Sequence, residues 1–73
     1  MFESLKQILI DEMQVEEDAI TMEAELTADL GLNSIELANL VMMCEDRFNI
    51  TIEDEDIHKF LTVGDVVDYL ENI

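Results

Sequence analysis

The chain has 73 residues, of which 49% are hydrophobic, and its 3 basic against 19 acidic residues give a net charge of −16 at pH 7. This apolar content supports a packed core, and the length limits the chain to one domain, expected over residues 1–73. The negative charge excludes nucleic acid and anionic membrane surfaces as partners and favours basic proteins. No apolar stretch is long enough to span a membrane, so membrane insertion is not expected. The lone cysteine, Cys44, can form no internal disulfide, which indicates a cytoplasmic protein. Separately, we expect the chain to be a monomer.

Apolar residues at helical spacing predict four helices and no strand. The expected fold is all-α: a small four-helix bundle of three main helices and one short helix, with a long crossover loop between the first two helices. Thr62 is the predicted N-cap of the last helix, with Asp65 at its third position. In chain order the predicted helices run from Phe2 to Met13, from Ser34 to Phe48, from Asp54 to Phe60 (the short one) and from Val63 to Asn72.

The segment 14–33 is the predicted crossover. A structureless loop of that length is uncommon in a compact domain, so its apolar residues should pin it across the helices. A helical turn is expected near Thr21 to Leu26. The pinning residues are Val15, Ile20, Met22, Leu26, Leu30 and Leu32.

The start of the second helix carries the strongest signals. Gly31 permits a tight reversal before the helix, and Asn33 with Glu36 three residues later forms a capping-box pair. This places Ser34 in the first turn, where its backbone N–H has no partner within the helix. A phosphate ester on its hydroxyl would lie at the positive end of the helix dipole. Serine is also commonplace as a cap, so position alone does not identify an attachment site.

The second helix has two apolar faces when its residues are spaced at about 100°. Leu37, Leu40, Val41, Cys44 and Phe48 form the wider face, which we assign to the core, while Met43 is expected to be exposed. A second face lies on the Ser34 side and has the character of a docking surface, unless the crossover covers it. This docking strip consists of Ile35, Ala38 and Met42, and Glu45 and Asp46 border it.

The run at the start of this helix resembles the attachment motif of acyl carrier proteins. It reads Asp29-Leu30-Gly31-Leu32-Asn33-Ser34-Ile35-Glu36-Leu37. The similarity continues in order through residues 45–48, 50–55 and 62–70, and so covers nearly the whole chain.

The resemblance implies a carrier rather than an enzyme. Ser34 would receive 4′-phosphopantetheine from coenzyme A through a phosphopantetheinyl transferase, the holo-carrier synthase. The thiol of the arm would then carry acyl groups as thioesters in fatty acid, polyketide or related lipid biosynthesis. Acyl-transferring and acyl-modifying enzymes with basic docking patches would be the partners. The implied partner-binding residues are Asn33, Ile35, Glu36, Met42, Glu45 and Asp46, together with Glu53, Asp54 and Glu55, here called the acidic segment.

The chain departs from the family pattern at three positions. Asn33 stands where the family usually has aspartate, which removes a charge that the transferase reads. Asn39 stands where an acidic residue is common, and Arg47 adds a basic group to the same helix. These changes hint at a dedicated pathway.

Other chemistry is not indicated. His58 is the only histidine, and no cysteine or second histidine lies at metal-ligand spacing from it. The acidic run 53–56 lacks the glycine and the distal glutamate of an EF-hand loop, so no metal site is predicted. No base can be assigned to Ser34, which argues against a catalytic nucleophile.

Two alternatives remain at the level of sequence. One is a peptidyl or aminoacyl carrier, but such domains usually begin the motif with Gly-Gly-x-Ser, and Leu32 occupies the position of the second glycine. The other is an unmodified acidic protein that binds a basic partner, which would leave the capped Ser34 and the docking strip unexplained.

Overall fold

A computed structural model describes residues 1–72 and shows an all-helical chain, as the sequence predicts. Within these residues there is no strand, only an isolated antiparallel bridge between Glu25 and Thr62. The elements are α1 (Phe2–Asp11), a 3-10 turn (Glu17–Ala19), α2 (Ser34–Phe48), α3 (Asp54–Ile57) and α4 (Val63–Glu71). No helix in this part of the chain is long and apolar enough to cross a membrane.

The hydrophobic core lies where α1, α2 and α4 face one another, with α1 in contact with both other helices. α4 contributes Val63, Val66, Val67 and Leu70 to this core, all of them buried. Leu37 and Phe48, assigned to the core face of α2, are half-buried at its edge. The buried residues are Leu5, Ile8 and Leu9 of α1; Leu40, Val41 and Cys44 of α2; Val63, Val66, Val67 and Leu70 of α4; Ile20, Ala24, Leu26 and Leu32 of the crossover; and Ile52 and Phe60.

Three backbone hydrogen bonds tie the crossover to the start of α4. They join residues 22–26 to residues 61–64, in the region of the isolated bridge. The approach is close enough to require glycine at position 64, because a Cβ there would lie 2.9 Å from the Met22 carbonyl oxygen. The bonds run from Leu26 N–H to Leu61 O (2.9 Å), from Val63 N–H to Ala24 O (2.9 Å) and from Gly64 N–H to Met22 O (2.8 Å).

This pairing explains two errors in the sequence prediction. Met22, predicted to pin the crossover across the helices, has an exposed side chain, and so does Leu61. Each residue contacts the neighbouring segment through its carbonyl oxygen instead. In place of a helical turn near Thr21 to Leu26, residues 21–24 form a single turn closed by a hydrogen bond from the Ala24 N–H to the Thr21 carbonyl oxygen, and the 3-10 turn of the crossover lies earlier, at Glu17–Ala19.

Helix ends differ modestly from the prediction. α1 stops at Asp11, and Gln14, with a φ of 56° in the left-handed region, turns the chain into the crossover. α3 stops at Ile57 rather than Phe60. Met43, expected to be exposed, is half-buried against the core, because the long unbranched methionine side chain can reach inward from the flank of α2.

α3 is held to α4 by a polar and an aromatic contact. The Tyr69 hydroxyl donates a hydrogen bond to Asp56 Oδ2 over 2.9 Å, and Lys59 Nζ lies 3.1 Å from Asp56 Oδ1. The Phe60 and Tyr69 rings meet edge to face with centroids 5.3 Å apart. The hydrogen bond from Tyr69 holds the pKa of the Asp56 carboxyl below its ordinary value and raises the pKa of the Tyr69 hydroxyl.

Candidate attachment site

The predicted capping box at the start of α2 is confirmed. Asn33 Oδ1 accepts from the Glu36 N–H at 2.8 Å, and Glu36 Oε1 accepts from the Asn33 N–H at 3.1 Å. Gly31 precedes the box with a φ of 74°, a conformation that glycine adopts without steric cost. Open space surrounds the position of a Cβ there, so the backbone angle and not crowding requires glycine. The helix therefore begins at a defined residue.

Ser34 is the first residue of α2 and its side chain is exposed. Among the hydrogen bonds of residues 1–72, none uses its hydroxyl oxygen. Its backbone N–H is one of the donors that a helix leaves free at its N-terminus. The hydroxyl is thus open to solvent at a position that favours a negatively charged substituent.

The docking strip is open to solvent along α2. The side chains of Ile35 and Met42 are 74% and 63% exposed, and Ala38 between them is exposed as well. The crossover therefore does not cover the strip, which removes the alternative left open by the sequence. Asp46 at its border is exposed too. Exposed apolar side chains that are neighbours on one helix face are a feature of interaction surfaces.

Glu45, which the sequence places at the border of the docking strip, is not a freely exposed carboxylate. The residue is half-buried, and its Oε2 accepts a hydrogen bond from the Ile52 N–H at 2.8 Å. Its carbonyl oxygen accepts from the N–H groups of Asn49 and Ile50. Sequence reasoning missed this role because the side-chain contact crosses a loop to a residue seven positions away.

The acidic segment projects into solvent at the start of α3. Glu53 is the N-cap residue of this helix, and Asp54 and Glu55 begin its first turn. All three residues are exposed, as is His58. Within residues 1–72, no group of three or more histidine, cysteine, aspartate and glutamate side chains lies close enough to hold a metal ion.

Cys44 is buried on the core face of α2 at 1% exposure, as predicted. Burial raises the pKa of its thiol to about 11, with smaller and opposing effects from Arg47 and Glu45. The residue therefore fills space in the core as a neutral thiol.

A cavity of about 300 Å³, which the sequence did not predict, opens beside the start of α2. It lies between the first part of the crossover, directly after α1, and the last part of the crossover, and its size is at the lower end of the range for small-molecule pockets. Glu36 of the capping box stands at its edge. Its apolar lining comes from Met13, Val15, Ala19, Leu30 and Leu32.

Comparison with known proteins identifies the family. A family model described as a phosphopantetheine attachment site matches residues 3–70. The acyl carrier protein of Clostridium perfringens (strain SM101) is 46% identical over 70 residues, which cover 96% of this chain and 92% of the relative. That of Campylobacter lari is 36% identical over 73 residues, covering 100% and 95%. That of Petrotoga mobilis is 43% identical over 70 residues, covering 96% and 82%.

The chain belongs to the acyl carrier protein family.

As an acyl carrier protein, the chain uses 4′-phosphopantetheine, and the start of α2 fits this group. When attached, the group supplies the thiol on which acyl chains are held as thioesters. The exposed Ser34 hydroxyl offers an oxygen for a phosphodiester, and the helix N-terminus favours its negative charge. The named relatives are acyl carriers, which supports this interpretation over the two alternatives left by the sequence.

Proposed function

We propose that Ser34 is the residue that bears the 4′-phosphopantetheine arm. The observation that carries this proposal is the placement of an exposed serine hydroxyl at the first position of a helix whose start is set by a capping box. In the transfer, the Ser34 oxygen forms a bond to the phosphorus nearest the pantetheine, and the pyrophosphate bond of coenzyme A breaks. Adenosine bisphosphate leaves with the electron pair of that bond.

The proton released from Ser34 goes to a base of the transferase. No side chain among residues 1–72 accepts a hydrogen bond from the Ser34 hydroxyl, so this chain does not supply that base. In this proposal the chain is a substrate of the transferase and afterwards a carrier. The attached phosphodiester gains roughly 0.3–1 kcal/mol from the helix dipole, which offsets some repulsion within a domain of net charge −16.

The docking strip and the acidic segment form the partner-binding surface in this proposal. Exposed Ile35 and Met42 provide an apolar contact beside Ser34, and the surrounding carboxylates attract enzymes with basic docking patches. Such charges mainly accelerate association and select partners by sign. The same charge disfavours nucleic acid, and membrane insertion forms no part of the proposal.

The proposed carrier acts as a monomer of one domain over residues 1–73, in the cytoplasm, where its lone cysteine stays reduced. Its cargo belongs to fatty acid, polyketide or related lipid biosynthesis. Asn33, Asn39 and Arg47 support a dedicated pathway, because each removes negative charge from the start or the surface of α2. Arg47 is exposed and forms no ion pair within the described residues.

The test is the intact mass of the chain after incubation with coenzyme A and a broad-specificity phosphopantetheinyl transferase. A single increment of one phosphopantetheine is expected for the native chain, and none for Ser34→Ala. Ser4→Ala is the matched control, because Ser4 is the other serine of the chain and is exposed on α1. It should keep the increment. An increment that persists in Ser34→Ala, or that disappears in Ser4→Ala, would overturn the assignment.

A further inference from the structure

Glu45 joins α2 to the loop that follows it. Its carboxylate receives the Ile52 N–H at 2.8 Å, while its carbonyl oxygen receives the N–H groups of Asn49 and Ile50. Asn49 has a φ of 56°, so the chain leaves the helix through a left-handed residue. One residue of the last turn of α2 thus holds the loop at three backbone positions.

The loop between α2 and α3 contributes to the position of the acidic segment. Ile52 is buried in the core, and Glu53 follows directly as the N-cap of α3. α3 has only four residues and makes no side-chain cap hydrogen bond at its start, so contacts outside the helix fix its position. The Ile52 anchor and its hydrogen bond to Glu45 connect the start of the acidic segment to α2, while the hydrogen bond from Tyr69 to Asp56 connects the other end of α3 to α4.

We propose that Glu45 is a positioning residue that makes the docking strip and the acidic segment one rigid surface. Its carboxylate acts through the Ile52 N–H, not as a free charge that meets the partner. The functional half of this inference rests on the proposed partner-binding role of those two surfaces. The structural half, that the carboxylate protects the Ile52 amide, stands independently of it.

Two substitutions separate the positioning role from a charge role. Glu45→Gln keeps the side-chain length and an oxygen acceptor but removes the charge. Glu45→Asp keeps the charge but shortens the side chain by one methylene, which withdraws the oxygen from the Ile52 N–H. A positioning role makes Glu45→Asp the more harmful change, whereas a charge role makes Glu45→Gln the more harmful one.

The first measurement is hydrogen exchange of the Ile52 amide in the unmodified chain. Hydrogen bonds to charged acceptors are strong enough that their loss should accelerate exchange on the order of tenfold in Glu45→Asp. Glu45→Gln should remain closer to the native rate. Asp46→Asn is the matched control, because Asp46 is the exposed neighbour and none of the side-chain hydrogen bonds of residues 1–72 involves it. An unchanged Ile52 rate in Glu45→Asp would overturn the proposal.

The second measurement is the KM and kcat of the phosphopantetheinyl transferase for each variant, at low and high salt. Glu45→Asp should raise KM by roughly two- to tenfold, the equivalent of one lost hydrogen bond, with kcat unchanged at both salt concentrations. Glu45→Gln and Asp46→Asn should show smaller rises that vanish at high salt, as expected for an exposed charge. If the KM rose only in the variants that remove a charge, and the KM of Glu45→Asp equalled that of the native chain, the positioning role would be refuted. If the transferase modified neither the native chain nor any variant, the proposed function would fail, and amide exchange would still decide the role of the hydrogen bond.

Discussion

Leu40 and Met42 lie two positions apart on α2 but on different faces. Leu40 belongs to the core, and Met42 belongs to the docking strip. Leu40 is 1% exposed, whereas Met42 is 63% exposed. Replacing a buried leucine by alanine costs about 3–5 kcal/mol. At 0.05–0.15 kcal/mol per residue, a chain of this length has a total stability of roughly 4–11 kcal/mol. Leu40→Ala should therefore remove a large share of the free energy of unfolding.

Met42→Ala should cost far less. Full burial of a methionine contributes about 1.5–3 kcal/mol, and only about a third of this side chain is buried, which leaves roughly 0.5–1 kcal/mol to lose. In a domain of this size 1 kcal/mol lowers the melting temperature by about 4–8 °C. The expected decrease is therefore roughly 2–8 °C for Met42→Ala and more than about 10 °C for Leu40→Ala.

Thermal unfolding by circular dichroism gives the stability of both variants. Binding to the phosphopantetheinyl transferase, measured at a temperature where the variant is folded, gives the partner effect. Met42→Ala should weaken this binding clearly despite its near-native stability, because its side chain would be buried against the partner. If Met42→Ala destabilises the chain as much as Leu40→Ala and leaves partner affinity intact, Met42 belongs to the core and the docking strip is assigned wrongly.

Three further predictions concern the cap of α2, the contact of α3 with α4, and the net charge. Asn33→Asp should speed modification by the phosphopantetheinyl transferase, because it restores the charge that this enzyme usually reads. It should change stability little, because aspartate accepts a hydrogen bond from the Glu36 N–H as well as asparagine does. An unchanged or slower rate would show that asparagine is no handicap. The lowered pKa of Asp56 means that it contributes stability above its ordinary value of 3.8 and loses it as pH falls through the folded value. Tyr69→Phe removes the hydrogen bond that is the largest cause of this shift, so the melting temperature of the variant relative to that of the native chain should rise as the pH falls from about 6 to about 2; parallel acid profiles would contradict the assignment. Sodium chloride should raise the melting temperature, because it screens the self-repulsion of a chain of net charge −16; a flat or falling profile would argue against that repulsion.

The helix starts could be predicted from the sequence because their signals are local. Asn33 with Glu36, and Thr62 with Asp65, are pairs three residues apart whose side chains and backbones satisfy each other within one turn. The docking strip was equally predictable, since helical periodicity alone separates its residues from the core face. The prediction that Ser34 is the attachment residue depends on both signals, because this serine lies at a capped helix start and beside the docking strip.

Contacts between distant segments could not be predicted in this way. The backbone hydrogen bonds between residues 22–26 and 61–64 use the N–H and C=O groups of the main chain, which do not depend on the side chain. No pattern of side chains therefore predicts them. They decide that Met22 and Leu61 are exposed although both are apolar. The contact of Glu45 with Ile52 likewise depends on how the loop leaves α2, which a helical wheel does not contain.

The burial of Cys44 simplifies the sulfur chemistry of the carrier. It is the only cysteine of the chain, and with a pKa of about 11 its thiolate is about one part in ten thousand at pH 7. Such a thiol competes poorly with the solvent-exposed thiol of an attached arm for alkylating reagents, disulfides or acyl groups. A thiol-specific reagent under native conditions should therefore count the attached arms whose thiol is free of cargo, and a thioester on the arm should not migrate to the protein itself.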